Sequence, residues 1–162
     1  LKTDLMDVYA WKLKGLALEE LKKYKGAEDC YNQALAFNPL FDEVWYKKGK
    51  LMEEIKNTQE ALKCYTHLIE IDPNDSMGWE LKIELLIKIK RYEEAIYWLE
   101  QAIIKDPLPI DIWFSIGHSF MDVGISRAAI VAFKNFVRHA TSEYDKDVEG
   151  VTKIIKELES LL

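Results

Sequence analysis

Arginine, cysteine, proline and glycine are all scarce in this 162-residue chain, which holds three, two, four and seven of them. Three arginines and a formal net charge of −6 exclude the clustered cation that a nucleic-acid surface requires. The lysines are plentiful but alternate with acids, as on a solvated helical surface. Two cysteines, Cys30 and Cys64, make no disulfide scaffold, so a reducing, cytoplasmic setting is expected. No run approaches the roughly 18 uncharged apolar residues of a membrane span, and no signal-peptide pattern opens the chain. With so little glycine and proline and no long β-branched run, Leu, Ala, Lys, Glu and Ile dominate, a mixture that favours helix. Hydrophobic residues make up 49%, so composition does not impose disorder, and the length suits one domain with a sizeable core.

Chemical motifs are missing as well. His67, His118 and His139 have no metal-ligand spacing, and neither His-Glu-x-x-His nor Cys-x-x-Cys occurs. The glycines are single and form no phosphate loop, and Gly-x-Ser-x-Gly is absent. The reading is therefore a non-enzyme with no catalytic residue, metal or cofactor. Cys30 and Cys64 occupy equivalent positions, one residue before Tyr31 and Tyr65. Packed helices would hold them about 10 Å apart, beyond bridging distance, as structural thiols.

What is present is a period. Trp11, Trp45, Trp79 and Trp113 are spaced by 34, as are Pro39, Pro73 and Pro107, and Ala27, Ala61, Ala95 and Ala129. Gly15, Gly49 and Gly117 share the register with Ile83 in the missing slot, and Tyr31, Tyr65 and Phe133 form a column completed by Leu99. Small residues let helices approach, aromatics fill the gaps between them, and proline closes the second helix of each pair. Apolar residues between these anchors recur at helical spacing. Asp42, Thr58, Ser76 and Ser126 supply short polar side chains at helix starts. Helices are expected at about 8–21 and 24–37, 43–55 and 58–71, 77–89 and 92–105, and 111–123 and 126–140.

The run Trp11-Lys12-Leu13-Lys14-Gly15 with Tyr24, Ala27, Tyr31, Ala34 and Pro39 resembles a tetratricopeptide repeat. The second unit repeats it with Trp45, Gly49, Ala61, Tyr65 and Pro73, and the third with Trp79, Tyr92, Ala95, Ala102 and Pro107. The resemblance covers residues 8–141 and implies an all-α, right-handed α-α superhelix (solenoid). Its units are repeats at 8–41, 42–75, 76–109 and 110–141. The fourth departs most, with Ser126 where the others have Tyr24, Thr58 and Tyr92, Phe136 in the small-residue column of Ala34 and Ala102, and Thr141 for the terminal proline. Residues 142–162 read as a capping helix: Ser142 and Asp145 suggest a capping box, and Val148, Val151, Ile154, Ile155, Leu158, Leu161 and Leu162 an apolar stripe. Residues 1–7 are a leader or the tail of a preceding repeat, in which case the protein continues upstream.

In this family the first helix of each pair lines a concave groove that binds a protein or peptide. The matching register supplies Tyr9, Lys12, Leu13, Leu16, Glu19 and Glu20 from the first unit, and Glu43, Tyr46, Lys47, Lys50, Glu53 and Glu54 from the second. The third gives Met77, Glu80, Leu81, Glu84, Ile87 and Lys88, and the fourth Asp111, Phe114, Ser115, His118, Met121 and Asp122. Four lysines against nine acids predict a partner with a basic balance, and the apolar members a floor for apolar anchors. The partner-binding set is thus Tyr9, Lys12, Leu13, Leu16, Tyr46, Lys47, Lys50, Met77, Glu80, Leu81, Glu84, Phe114, His118 and Met121. Some relatives hold an acidic tail in a clamp of Lys, Asn, Asn, Lys and Arg. The matching Lys12, Leu16, Lys47, Met77 and Leu81 keep only the first, which disfavours that ligand. The alternatives are a homodimerising, self-assembly module, using the surroundings of Trp98, the cap or an open repeat end, and the repeat region of a larger protein.

Overall fold

Helix ends in this chain are set by one turn used four times. Lys22, Lys56, Lys90 and Gly124, each 34 residues apart, have left-handed backbone with φ of 55°, 60°, 62° and 76°. At the first, the Lys22 N–H donates to the Glu19 carbonyl and the Lys23 N–H to the Leu18 carbonyl, both at 2.8 Å. The same two bonds recur at Lys56/Asn57, Lys90/Arg91 and Gly124/Ile125, so four helices end in Schellman turns. Two residues after each left-handed position the next helix begins, with a single cap residue between them.

The structure is a computed structural model that describes residues 2–106 and 108–162, with side chains from residue 6 onward except 107. The expected closing proline Pro107 and the first residue, Leu1, lie outside the described residues. Helices α1 (Lys2–Glu20), α2 (Tyr24–Phe37), α3 (Asp42–Glu54) and α4 (Thr58–Ile71) form two helix-turn-helix pairs. Helices α5 (Ser76–Lys88), α6 (Tyr92–Lys105), α7 (Ile110–Asp122) and α8 (Ser126–His139) form two more, and α9 (Asp145–Glu159) follows. No strand occurs among the described residues. The chain divides into two compact units, residues 1–73 and 74–162.

The four expected helix caps and the expected capping box all need correction. Thr58 and Ser76 are first helical residues rather than caps. The caps sit one position earlier, where Asn57 Oδ1 accepts from the Glu60 N–H and Asp75 Oδ1 from the Met77 N–H, each at 3.4 Å. Asp42 and Ser126 also lie inside their helices, after Phe41 and Ile125, which offer no side-chain cap. The Ser142–Asp145 capping box does not form. Ser142–Tyr144 is a 3-10 turn that carries the chain into α9, and this leaves Ser142 upstream of the helix's free amides.

The first unit packs α1 on α2, α2 on α3 and α3 on α4. Ala27 and Ala61 are fully buried, as are Tyr31 and Tyr65. A Cβ placed on Gly15 would lie 2.6 Å from Tyr31 Cε1, and one on Gly49 would lie 2.4 Å from Tyr65 Cε1, so both rings occupy space that only glycine leaves open. Both hydroxyls then reach a carboxylate one helix back: Tyr31 Oη donates to Glu19 Oε2 at 2.6 Å, and Tyr65 Oη to Glu53 Oε1.

The second unit packs α5 on α6 and α7, α7 on α8, and α8 on α9. Gly117 and Phe133 repeat the glycine–aromatic contact, with a Cβ–Cε1 separation of 2.4 Å. In the intervening pair both partners change together: Ile83 takes the glycine position and Leu99 the aromatic one, and both are buried. The larger residue on one helix is thus matched by a smaller one on the other, keeping core volume nearly constant. The acceptor position changes as well. Glu19 and Glu53 correspond to Ile87 and Met121, opposite Leu99 and Phe133, which have no hydroxyl to satisfy. The α9 stripe is buried at Val151 and Ile155 and half-buried at Val148, Ile154 and Leu158, whereas Leu161 and Leu162, beyond the helix end, are exposed.

Candidate functional site

The tryptophan column grades from half-buried Trp11 and Trp45 to buried Trp79 and Trp113. Trp45 Nε1 donates to the Pro39 carbonyl at 2.8 Å and so fastens the inter-helix turn to α3. Lysines one helical turn on cover the rings of Trp11 and Trp45, with Lys14 Nζ 4.8 Å and Lys48 Nζ 5.5 Å from the centroids. Lys48 is also paired with Glu60 at 2.9 Å. This bond holds the Glu60 carboxyl below its ordinary pKa against the opposing cost of burial. Half-buried Trp98 packs edge-on against Trp79 at 5.7 Å, with Lys82 Nζ 3.5 Å above its ring. The aromatic most exposed beside it is Tyr97.

On α1, Tyr9, Lys12, Leu13 and Leu16 follow helical spacing along one face. Tyr9 and Leu13 are open to solvent, 49% and 61% exposed, and Leu16 is half-buried. Lys12 is buried. Its Nζ reaches Glu43 Oε2 at 2.8 Å and lies 4.8 Å and 5.5 Å above the rings of Tyr9 and Phe41, joining α1 to α3. On α3, Tyr46 and Lys47 are half-buried with the lysine over the ring, and exposed Lys50 lies 3.4 Å from Glu53. Glu54 accepts from Tyr24 Oη at 2.5 Å. Four acids of this unit's face, Glu19, Glu43, Glu53 and Glu54, are therefore engaged by the protein's own side chains.

The second unit differs. Met77 is exposed, and Glu80, Leu81, Glu84, Phe114, His118 and Met121 are half-buried on α5 and α7, while Ile87 is buried in the core. Ser115 Oγ donates to Glu84 Oε1 at 3.3 Å across the two helices. Burial first, then the nearby Glu84 and Asp111 carboxylates, raise the Glu80 carboxyl above its ordinary pKa. No ion pair among the described residues engages Glu80, Glu84 or Asp111. The His118 ring packs 4.5 Å from Phe114 and 5.2 Å from Phe133, an aromatic rather than a ligating environment.

Beside this face, a cavity of about 180 Å³ is lined by Asp111, Phe114, Phe136, Tyr144 and Asp147. Sequence reasoning assigned Tyr144 and Asp147 only to a cap. The signal available was Phe136, the one aromatic in a column otherwise held by Ala34, Leu68 and Ala102, but its neighbours come from three elements whose proximity sequence spacing does not reveal.

No group of three or more His, Cys, Asp and Glu side chains is placed to hold a metal among the described residues. No described helix is long and apolar enough to cross a membrane. Cys30 and Cys64 are free and buried, and desolvation raises both thiols, Cys64 to about 12.

Paired helices at a fixed 34-residue interval, closed by the same turn and packed through the same columns, define a helical-repeat protein. Two of these units match a known family: two family models, both described as Tetratricopeptide repeat, match residues 8–41 and 42–75. No curated protein matches it. Among solved structures it is similar to a crystal structure of MamA protein, with a TM-score of 0.65 and 17% identity over 96% of this chain and 84% of that one. It is also similar to the MamA 41-end structure from Desulfovibrio magneticus RS-1, with a TM-score of 0.62 and 16% identity over 96% and 94% of the chains. At such identities the likeness is one of fold.

Proposed function

We propose that this chain is a non-catalytic scaffold for protein–protein interaction, and that the α1/α3 and α5/α7 faces take peptide segments carrying apolar anchors and basic side chains. In the same reading, α5–α6 and α7–α8 are the third and fourth repeats and α9 is their cap. The observation that carries the reading is the α5/α7 face, where Glu80, Glu84 and Asp111 have no ion pair among the described residues and lie beside accessible Met77, Leu81, Phe114 and Met121. Carboxylates outside any ion pair among the described residues, Glu80 and Glu84 half-buried and Asp111 exposed, leave a negative field that a basic partner would neutralise, and the apolar side chains would add area to bury. The α1/α3 face offers Tyr9, Leu13 and Tyr46 with four of its five expected acids already engaged, so its contribution is chiefly apolar. Buried, poorly ionised thiols suit a reducing, cytoplasmic compartment.

Selection from a displayed random-peptide library tests this. Enriched peptides should combine aromatic or aliphatic residues with Lys or Arg, and bind more weakly as salt rises. Leu81→Ala with Glu84→Gln should weaken them at least about tenfold, the loss expected for one charged and one apolar contact. Enrichment of acidic peptides, or binding unchanged in that variant, would refute the proposal. Recovery of the protein's own segments would instead favour self-assembly.

A further inference from the structure

Resting on that reading, we infer that the cavity at Phe114, Phe136 and Tyr144 is a pocket for one arginine side chain of the bound partner. Three aromatic rings line it: Phe114 and Phe136 have centroids 5.3 Å apart, and Tyr144 stands nearly perpendicular to Phe136 at 6.1 Å. The only charged lining residues are two carboxylates, Asp111 on α7 and Asp147 on α9, both exposed and neither in an ion pair among the described residues. A purely apolar anchor would leave those carboxylates beside it uncompensated, and an anion would be repelled. A guanidinium satisfies both features, since its flat face stacks on aromatic rings while its in-plane N–H groups donate to carboxylates. The volume of about 180 Å³ admits one long side chain and not a folded segment. Phe136 fixes the floor of the pocket: it is 2% exposed, held between α7 and the turn before α9, and stands where the other repeats carry Ala34, Leu68 and Ala102. Helix α9 is then more than a cover for the last repeat, because it supplies part of the binding wall.

The test uses N-acetyl-arginine amide as the probe and N-acetyl-citrulline amide as its neutral isostere, followed by NMR on the full chain. The expected result is saturable shifts centred on Phe114, Phe136, Tyr144 and Asp147 with the arginine compound and none with citrulline. Asp111→Asn with Asp147→Asn replaces two exposed side chains without touching the core, and should weaken that binding at least about tenfold, as the loss of charge-assisted bonds predicts. Equal shifts with citrulline, shifts centred elsewhere, or binding unchanged in the double variant would overturn the inference. Library-selected peptides separate this failure from that of the scaffold. If they still bind the Asp111/Asp147 variant but not the Leu81/Glu84 variant, the pocket is wrong and the scaffold stands. If neither variant loses them, the scaffold reading falls as well.

Discussion

At the residue scale, the left-handed lysines carry the clearest cost. A non-glycine residue in that region costs about 1–2 kcal/mol, and three repeats place a lysine there where the fourth has Gly124. Lys56→Gly should therefore raise stability by up to about 1 kcal/mol in urea melts, reduced by the added freedom of the unfolded chain. No decrease in the midpoint is expected, and one would mean that the lysine side chain makes a contact worth more than the strain. Only Gly124 hinted at this position in the sequence, since lysine carries no signal of positive φ. The Glu80 carboxyl gives a pH test. Its folded pKa is raised, so its ionisation opposes folding, and the stability of the protonated form is lost as pH rises through the folded value. Glu80→Gln should thus stabilise the protein at neutral pH, with a gain that disappears below the ordinary glutamate range. Thermal melts at pH 7 and pH 4 check this, and a larger gain at pH 4 would contradict it.

At the scale of the element, helix pairs are matched by size and by polarity. The columns of glycine and aromatic residues were visible in the sequence because every copy prints the same residue types 34 apart. Their pairing was not, because a repeat period says nothing of which columns face one another. The third pair is informative here: Ile83 with Leu99, and Ile87 where Glu19 and Glu53 stand, vary as a set and so mark the contact. Gly117→Ala, whose Cβ would press on Phe133, should cost about 2 kcal/mol. In a Phe133→Leu background that cost should fall by about 1 kcal/mol or more, a coupling that a double-mutant cycle reads directly. Additive effects would show that the ring yields freely. Two helix starts were misplaced by one residue because Asn57, directly after the Schellman turn at Lys56, and Asp75, in the loop after α4, cap their helices ahead of the more obvious Thr58 and Ser76.

For the molecule as a whole, a count of acids along the expected groove spread its negative charge over all four repeats. Side-chain geometry redistributes it. In the first unit Glu19, Glu43, Glu53 and Glu54 are engaged by Tyr31, Lys12, Tyr65 with Lys50, and Tyr24, whereas Glu80, Glu84 and Asp111 in the second have no ion pair among the described residues. No sequence pattern separates an internally satisfied glutamate from one available to a partner, because the difference lies in which side chain crosses to it from the next helix. The most direct measurement is the affinity of a fluorescent peptide with apolar anchors and arginines, compared between the unaltered chain and two variants. One is Glu80→Gln with Glu84→Gln in the second unit, and the other is Lys47→Gln with Lys50→Gln in the first. Binding should be at least about tenfold weaker for the second-unit variant and little changed or slightly stronger for the first, with the difference shrinking as salt is raised. Equal affinity for all three proteins, or a loss confined to the lysine variant, would contradict it.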